Sequence, residues 1–259
     1  MPFRRLLTAY SHADPAPSPQ LALPANTIKA AGMHYQAVDA RTRATADLVT
    51  TAFFFLLRVR EYTMPRPNAR TRTFQFRVQD VTFRRADDTV IPHTATVQKL
   101  STASSVPLFL DNQKNGQRRK TVLHTAIRSW FCPVQALARR VASVMAFNVP
   151  VSTPLSFVRP GVHVTTANVT TLVRWAAVAT NLVAQGYDLR HVGTHSLRAS
   201  GAMALKLLGA PDSTIMTIGR WTGNTFLDYI HTQIGAINAG VAARMAISIH
   251  FVNVGAAVR

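Results

Sequence analysis

His195-Ser196-Leu197-Arg198, followed by Gly219-Arg220-Trp221 and then Tyr229, is the stretch on which the reading of this chain turns. The histidine and the arginine stand three residues apart, so a helix starting here presents both on one side. Thr194 precedes them as a candidate N-cap. A helix start already attracts phosphate through its unpaired N–H groups. An arginine there adds a two-pronged grip on non-bridging oxygens. Tyr229 offers a phenol, a poor nucleophile at neutral pH unless a base or nearby cations help it. Trp221 has one polar atom, an indole donor able to reach a phosphate oxygen. Alone, each signal has a plainer explanation: a polar first turn, a core tryptophan, a tyrosine packed on Phe226.

Two upstream segments carry groups of the same kind. In Leu56-Leu57-Arg58-Val59-Arg60-Glu61, Arg58 stands at the end of an apolar helix, after Phe53-Phe54-Phe55. Such an arginine is at least partly desolvated and needs an anion. Glu61 is the only glutamate in the chain, and three residues on it can hold the Arg58 guanidinium in place. In Asp111-Asn112-Gln113-Lys114-Asn115-Gly116, Lys114 stands beside a hairpin signal, where it can reach into a groove and protonate a leaving oxygen. Lys120 is a rival for that task.

Charge narrows the partner. The chain has 259 residues, 29 Lys+Arg against 11 Asp+Glu, and a net charge of +18. Such a field favours a polyanion. Lysine occurs only at positions 29, 99, 114, 120 and 206, so the charge is mostly arginine, which binds phosphate bidentately. An anionic membrane is the weaker fit, since no basic amphipathic helix stands out beyond the short N-terminus. Residues 240–258, the nearest thing to a membrane span, are interrupted by Arg244 and His250. A single cysteine, Cys132, rules out an intrachain disulfide framework and fits a reducing, intracellular compartment. The carboxylates are scattered, without the cluster a two-metal nuclease needs. No metal and no cofactor are expected.

Periodicity sets the fold class. Pro15, Pro17, Pro19 and Pro24 mark residues 1–26 as an arm or linker, leaving 27–259 as one domain. Leu48, Val49, Ala52, Phe53, Leu56 and Val59 recur at helical steps, predicting a helix that ends before Pro65. Residues 66–126 alternate instead, as in Thr73-Phe74-Gln75-Phe76-Arg77-Val78, predicting an antiparallel sheet of about three strands with a hairpin turning near Asn115-Gly116. Helical stripes return at Val134–Val141, Val169–Ala179 and Leu197–Leu208, the last closed by Gly209 and Pro211. Asn224 is placed to cap a last short helix carrying Tyr229. The expected class is mainly α with a small antiparallel β-sheet.

Taken together, in this order, the residues resemble the tyrosine recombinase (phage integrase-like) family. Its pattern is an arginine, a hairpin lysine, H-x-x-R, a His or Trp, and a nucleophilic tyrosine. The resemblance covers roughly residues 43–235, with Trp221 to Tyr229 spanning eight positions, one short of a common family spacing. It implies a fold, that of the family's catalytic domain, and a reaction. Arg58 and Arg198 would neutralise the scissile phosphate while Tyr229 attacks it to form a 3′-phosphotyrosine. His195 would help move the proton, Lys114 would protonate the departing 5′ oxygen, and Trp221 would bind a non-bridging oxygen. Glu61 would support Arg58. The bond energy stays in the protein–DNA link, so rejoining needs no ATP. The implied partner is double-stranded DNA, bound by a homo-oligomer, with no membrane. The implied location is the nucleus in a eukaryote, or the nucleoid or cytoplasm in a prokaryote. The family's separate DNA-clamping domain has little room in the roughly forty residues before the first catalytic helix, so the chain is expected to be a fragment, a truncated product or a degenerate relative. Two alternatives stand beside recombination or integration: a catalytically inactive DNA-binding remnant, and relaxation of DNA like a type IB topoisomerase.

Overall fold

The structure, a computed structural model, describes residues 21–65, 73–112, 118–223 and 227. It bears out the expected class, with helices around a small antiparallel sheet. Helix α1 (Ala25–Gly32) leads through a 3-10 turn at Met33–Gln36 into α2 (Ala40–Phe54). The Asp39 carboxylate caps α2 by accepting the Thr42 N–H at 2.7 Å. The stripe read from the sequence is the buried face: Leu48, Val49, Ala52 and Phe53 all point into the core.

The helix ends earlier than the stripe suggests. Phe54 is its last residue, and Leu56 turns left-handed at φ 49°. A new one-turn helix, α3 (Val59–Tyr62), follows. Arg58 is thus the residue before α3 rather than the last turn of α2. Leu56 and Val59 continue the apolar spacing because both sides of the break face the same core.

Among the described residues the main sheet has four strands, where about three were expected. Its order is β2-β1-β3-β4, from β1 (Phe83–Arg84), β2 (Val90–Ile91), β3 (Ser105–Asn112) and β4 (Arg118–Thr125). The first two strands have two residues each, too short for alternation to announce them. A one-turn helix, α4 (Val97–Leu100), separates β2 from β3. β3 and β4 pair antiparallel from Ser105↔Thr125 to Asn112↔Arg118. The expected turn at Asn115-Gly116 lies outside the described residues. A second sheet of two strands, β5 (Phe157–Arg159) and β6 (Val162–His163), was not anticipated.

The later helices follow their stripes. α5 (Pro133–Met145) has proline at its first position, where a missing N–H costs nothing. α6 (Thr166–Ala179) is capped by Thr165 and Asn168 in a reciprocal pair. α7 (Thr194–Leu207) stops before Gly209, left-handed at φ 78°. A short α8 (Asp212–Gly219) follows Pro211. The helix expected from Asn224 to Tyr229 falls outside the described residues, apart from helical Leu227.

α2 lies at the centre, packed on α1, α5, α6 and α7. The main core gathers Leu48, Phe55, Tyr62, Phe83, Leu108, Leu137 and Leu197. A smaller apolar cluster holds Ala22, Ala199, Ala202, Met203 and Ile215, with Trp221 and Leu227 packed against it. Residues 21–24, read from the sequence as the end of an arm, belong to the folded body. Leu23 donates its N–H to Ser200 Oγ at 2.7 Å and is buried. Among the described residues, no helix is long and apolar enough to cross a membrane.

Candidate functional site

The site is built on a kink. Where α2 ends, the chain reverses through Phe55-Leu56, and the carbonyls of both residues point at two arginines from far along the sequence. Arg198 Nη1 donates to the Leu56 carbonyl at 2.6 Å. Arg220 donates to the Phe55 carbonyl at 3.0 Å and to the Leu56 carbonyl at 3.2 Å. Arg198 also donates to the Gly219 carbonyl. Both arginines are buried, at 2% and 3% exposure. Burial of a guanidinium is tolerated only with hydrogen bonds and counter-charge, and the turn supplies the first.

Glu61 supplies the second. Its carboxylate is 2% exposed and accepts three bonds. Arg220 Nη2 donates at 2.8 Å, the backbone N–H of Arg58 at 2.8 Å, and the Arg58 guanidinium at 3.4 Å. The backbone bond closes the N-terminus of α3, which is why three residues' separation brings Glu61 back to Arg58. The contact expected between Glu61 and Arg58 is present. Its shorter side-chain contact, however, is to Arg220, a residue the sequence reading passed over. One glutamate in an arginine-rich chain was the signal available. Arg58 is more open, its side chain 21% exposed.

Trp221 stacks on Arg198, whose Cζ lies 4.1 Å from the ring centroid. The ring needs Gly219: a Cβ there would stand 1.7 Å from Trp221 Cζ3. Between them Arg220 caps α8 in the left-handed conformation, φ 58° and ψ 43°. That turn carries Trp221 back over α7.

His195 lies exposed on the first turn of α7, while Arg198 three residues later is buried. The N-cap of α7 is Gly193, not Thr194, which is the first helical residue and is itself buried. The Gly193 N–H donates to Ser196 Oγ at 3.1 Å, so Ser196 does part of the capping work expected of Thr194. Lys114 and Tyr229 lie outside the described residues. Lys120 does not. It sits on β4 opposite Leu110, on the same face as Val122 and His124. That face meets the helical body: His124 Nε2 bonds the Phe54 carbonyl at 2.9 Å, and burial holds this imidazole below its usual range. Towards the strand's start the sheet overhangs a cleft of about 370 Å³ against α8, lined by Lys120, Met216, Thr217, Arg220 and Trp221.

The structure therefore brings Arg58, Glu61, Arg198 and Trp221 together, adds Arg220, and sets Lys120 at the edge. Among the described residues, no group of His, Cys, Asp or Glu is arranged to hold a metal ion. A larger cleft of about 530 Å³ between α2 and α5 shares none of these side chains.

No protein-family model and no curated protein matches the chain. Solved structures do. The XerH site-specific recombinase, in a post-cleavage complex with its palindromic difH substrate, aligns over 87% of this chain and 54% of its own, with TM-score 0.56 and 14% identity. The Tn1549 transposon integrase, in complex with transposon right-end DNA, aligns over 92% of this chain and 69% of its own, with TM-score 0.49 and 10% identity. The chain spans about half the length of the XerH chain it matches. The XerH likeness establishes the fold, that of a tyrosine recombinase-like catalytic domain, as the resemblance in sequence implied.

Proposed function

We propose that this chain cleaves and rejoins DNA strands through a 3′-phosphotyrosine intermediate, in recombination or integration. One observation carries the reading. Arg58 and Arg198, 140 positions apart in sequence, are gathered at one turn, with Trp221 stacked on Arg198. Cations held rigidly where charge develops are the largest single source of rate in such displacements.

In this reading a duplex lies across the site with one phosphate between Arg58 and Arg198. The Tyr229 oxygen attacks phosphorus, and the phosphorus bond to the 5′ oxygen breaks. His195, exposed three residues before Arg198 in sequence, takes up or relays the phenolic proton. Trp221 keeps Arg198 oriented and offers its N–H to a non-bridging oxygen. A lysine of the hairpin protonates the departing 5′ oxygen. Lys114 is the candidate nearest the turn; Lys120 has the support of its place in the cleft with Arg220 and Trp221. Rejoining reverses the step, with a 5′ hydroxyl attacking the phosphotyrosine, so no nucleotide cofactor is consumed. Exchange of partners requires further copies of the chain on the DNA. The fold's likeness to a recombinase in a post-cleavage DNA complex supports double-stranded DNA as the partner.

The test is trapping of the covalent adduct. Nicked duplexes from a random-sequence pool lose a short 5′-hydroxyl fragment on cleavage and cannot be resealed. The expected product survives denaturing electrophoresis and maps by mass spectrometry to the Tyr229 peptide. Tyr229→Phe abolishes it and leaves DNA binding intact. Arg58→Ala and Arg198→Ala each slow it, by about 2–4 kcal/mol of lost transition-state contact. A bridging phosphorothiolate, whose leaving group needs no proton, rescues whichever of Lys114→Ala and Lys120→Ala has lost the general acid. DNA binding without any adduct would replace this reading with that of an inactive DNA-binding remnant.

A further inference from the structure

Arg220 occupies a position that local physics would give to glycine. Its backbone is left-handed, φ 58° and ψ 43°, which costs an ordinary side chain about 1 kcal/mol or more. Its guanidinium is almost wholly buried, 1% exposed, which costs more. What it meets there is specific: the Phe55, Leu56 and Ile218 carbonyls, at 3.0, 3.2 and 3.3 Å, and Glu61 Oε2 at 2.8 Å. Desolvation draws its pKa below the usual arginine range, Glu61 works against that fall, and nearby Arg58 adds to it.

The charges around Glu61 decide what this arrangement does. One buried carboxylate faces two guanidinium groups, Arg220 at 2.8 Å and the more open Arg58 at 3.4 Å. A carboxylate at 2% exposure cannot fall back on water for compensation. Among the described residues, Arg58 is the other cation paired with this carboxylate, and at short range in a low dielectric that attraction is strong. Without Arg220, Arg58 would close onto Glu61. In the reading above, Arg58 has to meet a phosphate instead.

We propose that Arg220 is a positioning residue: it takes up the buried charge of Glu61, so that the Arg58 guanidinium stays turned to the phosphate site. The inference rests on the reading of Arg58 as a phosphate ligand. It also explains why Glu61 is wholly buried yet leaves Arg58 partly open. A second consequence concerns the balance of charge. With Glu61 neutralised by Arg220, the two remaining arginines carry +2, matching the doubly negative phosphorane at the moment of displacement.

The test uses the full chain and two readouts. The first is the rise in thermal midpoint caused by inorganic phosphate, relative to chloride at equal ionic strength; the part lost in Arg58→Ala reports binding at Arg58. The second is the rate of adduct formation on the nicked-duplex pool. Arg220→Met is expected to lose the Arg58-dependent rise and to slow the adduct about 100-fold. Adding Glu61→Gln removes the charge that captures Arg58, and the double variant is expected to recover the phosphate rise and at least about ten-fold of the rate. A merely structural Arg220 also regains thermal midpoint in the double variant, because the unpaired buried carboxylate is gone, but it does not cost the folded single variant its Arg58-dependent phosphate rise. The proposal is overturned if folded Arg220→Met keeps the full phosphate rise, or if the double variant recovers neither readout. Should Arg220→Met not fold, Arg220→Lys decides. Lysine keeps a charge on Glu61 without spanning the carbonyls, and is expected to retain the Arg58-dependent rise; its complete loss overturns the proposal. If the wild-type chain forms no adduct but shows the phosphate pattern, the positioning role stands and the cleavage reading falls. If it shows neither adduct nor an Arg58-dependent rise, both fall.

Discussion

The Arg198–Trp221 pair concentrates the chemistry of single residues. An aromatic face 4.1 Å from a guanidinium carbon contributes about 0.5–2 kcal/mol when the pair is shielded from water. It also fixes the plane in which the remaining N–H groups point. Two roles for Trp221 are thereby separable, the ring that holds Arg198 and the N–H that reaches a phosphate oxygen. Trp221→Phe keeps a ring, and Trp221→Ala keeps neither. If stacking matters, single-turnover adduct formation should fall about ten-fold further in the alanine variant, matching loss of a contact in this range. Equal losses would leave the N–H as the residue's whole contribution. Gly219→Ala should behave like Trp221→Ala, because its Cβ would stand 1.7 Å from the indole and displace it.

Between elements, two contacts hold the site's frame. The first is the closeness of α7 to the end of α2. A Cβ on Gly201 would lie 2.2 Å from Leu56 Cδ2 and 2.4 Å from the Phe53 carbonyl oxygen. The second atom is backbone and cannot swing away. Gly201→Ala should therefore cost about 1–3 kcal/mol and push away the Leu56 carbonyl that receives both arginines. The expected result is a thermal midpoint lower by several degrees, at about 2–4 °C per kcal/mol, with a larger loss of adduct formation than of DNA binding. An unchanged midpoint would mean the helices slide apart at no cost. The second contact joins α2 to α5 through Asp47 and Arg139, 2.6 Å apart. Burial pushes the Asp47 carboxyl up to about 6 from an ordinary 3.8, against the pull of Arg139. The raised value means the folded protein holds this proton more tightly than the unfolded chain. That stabilisation is complete below about pH 4 and is lost as pH rises through about 6, at up to about 1.4 kcal/mol per unit. Denaturant unfolding between pH 4 and 7 should thus show the wild type losing stability relative to Asp47→Asn. A gain over that window would show that Arg139 outweighs desolvation.

At the scale of the whole molecule, the field of a +18 chain dominates. Each phosphate neutralised on DNA releases about one counterion, so log affinity falls linearly with log salt. Binding to random duplexes should weaken by roughly 1000-fold between 50 and 200 mM salt if about six phosphates are engaged, with little preference for sequence. Fluorescence anisotropy on labelled duplexes measures this. A flat response would disprove an electrostatic footprint of that size. The same charge is unevenly distributed in energetic terms. Surface arginines steer, whereas Arg198 and Arg220 are held inside by carbonyls and one carboxylate.

From the sequence alone came the class of fold, the central helix, the later stripes and the pairing of Arg58 with Glu61. These were legible because they are short-range: side chains a turn apart share a face whatever the rest of the chain does. That Arg58, Arg198 and Trp221 come together in space was also legible, through residue type and order. Other features were decided only by tertiary structure. Leu56 turns left-handed, which breaks the helix inside an unbroken apolar pattern. Arg220 belongs to the site through bonds spanning 159 to 165 positions. The short strands β1, β2, β5 and β6 exist by pairing rather than by pattern. The physical reason is the same in each case. A carbonyl, a carboxylate or a strand edge must satisfy its bonds, but which distant group does so depends on where packing puts the backbone, and no local periodicity carries that information.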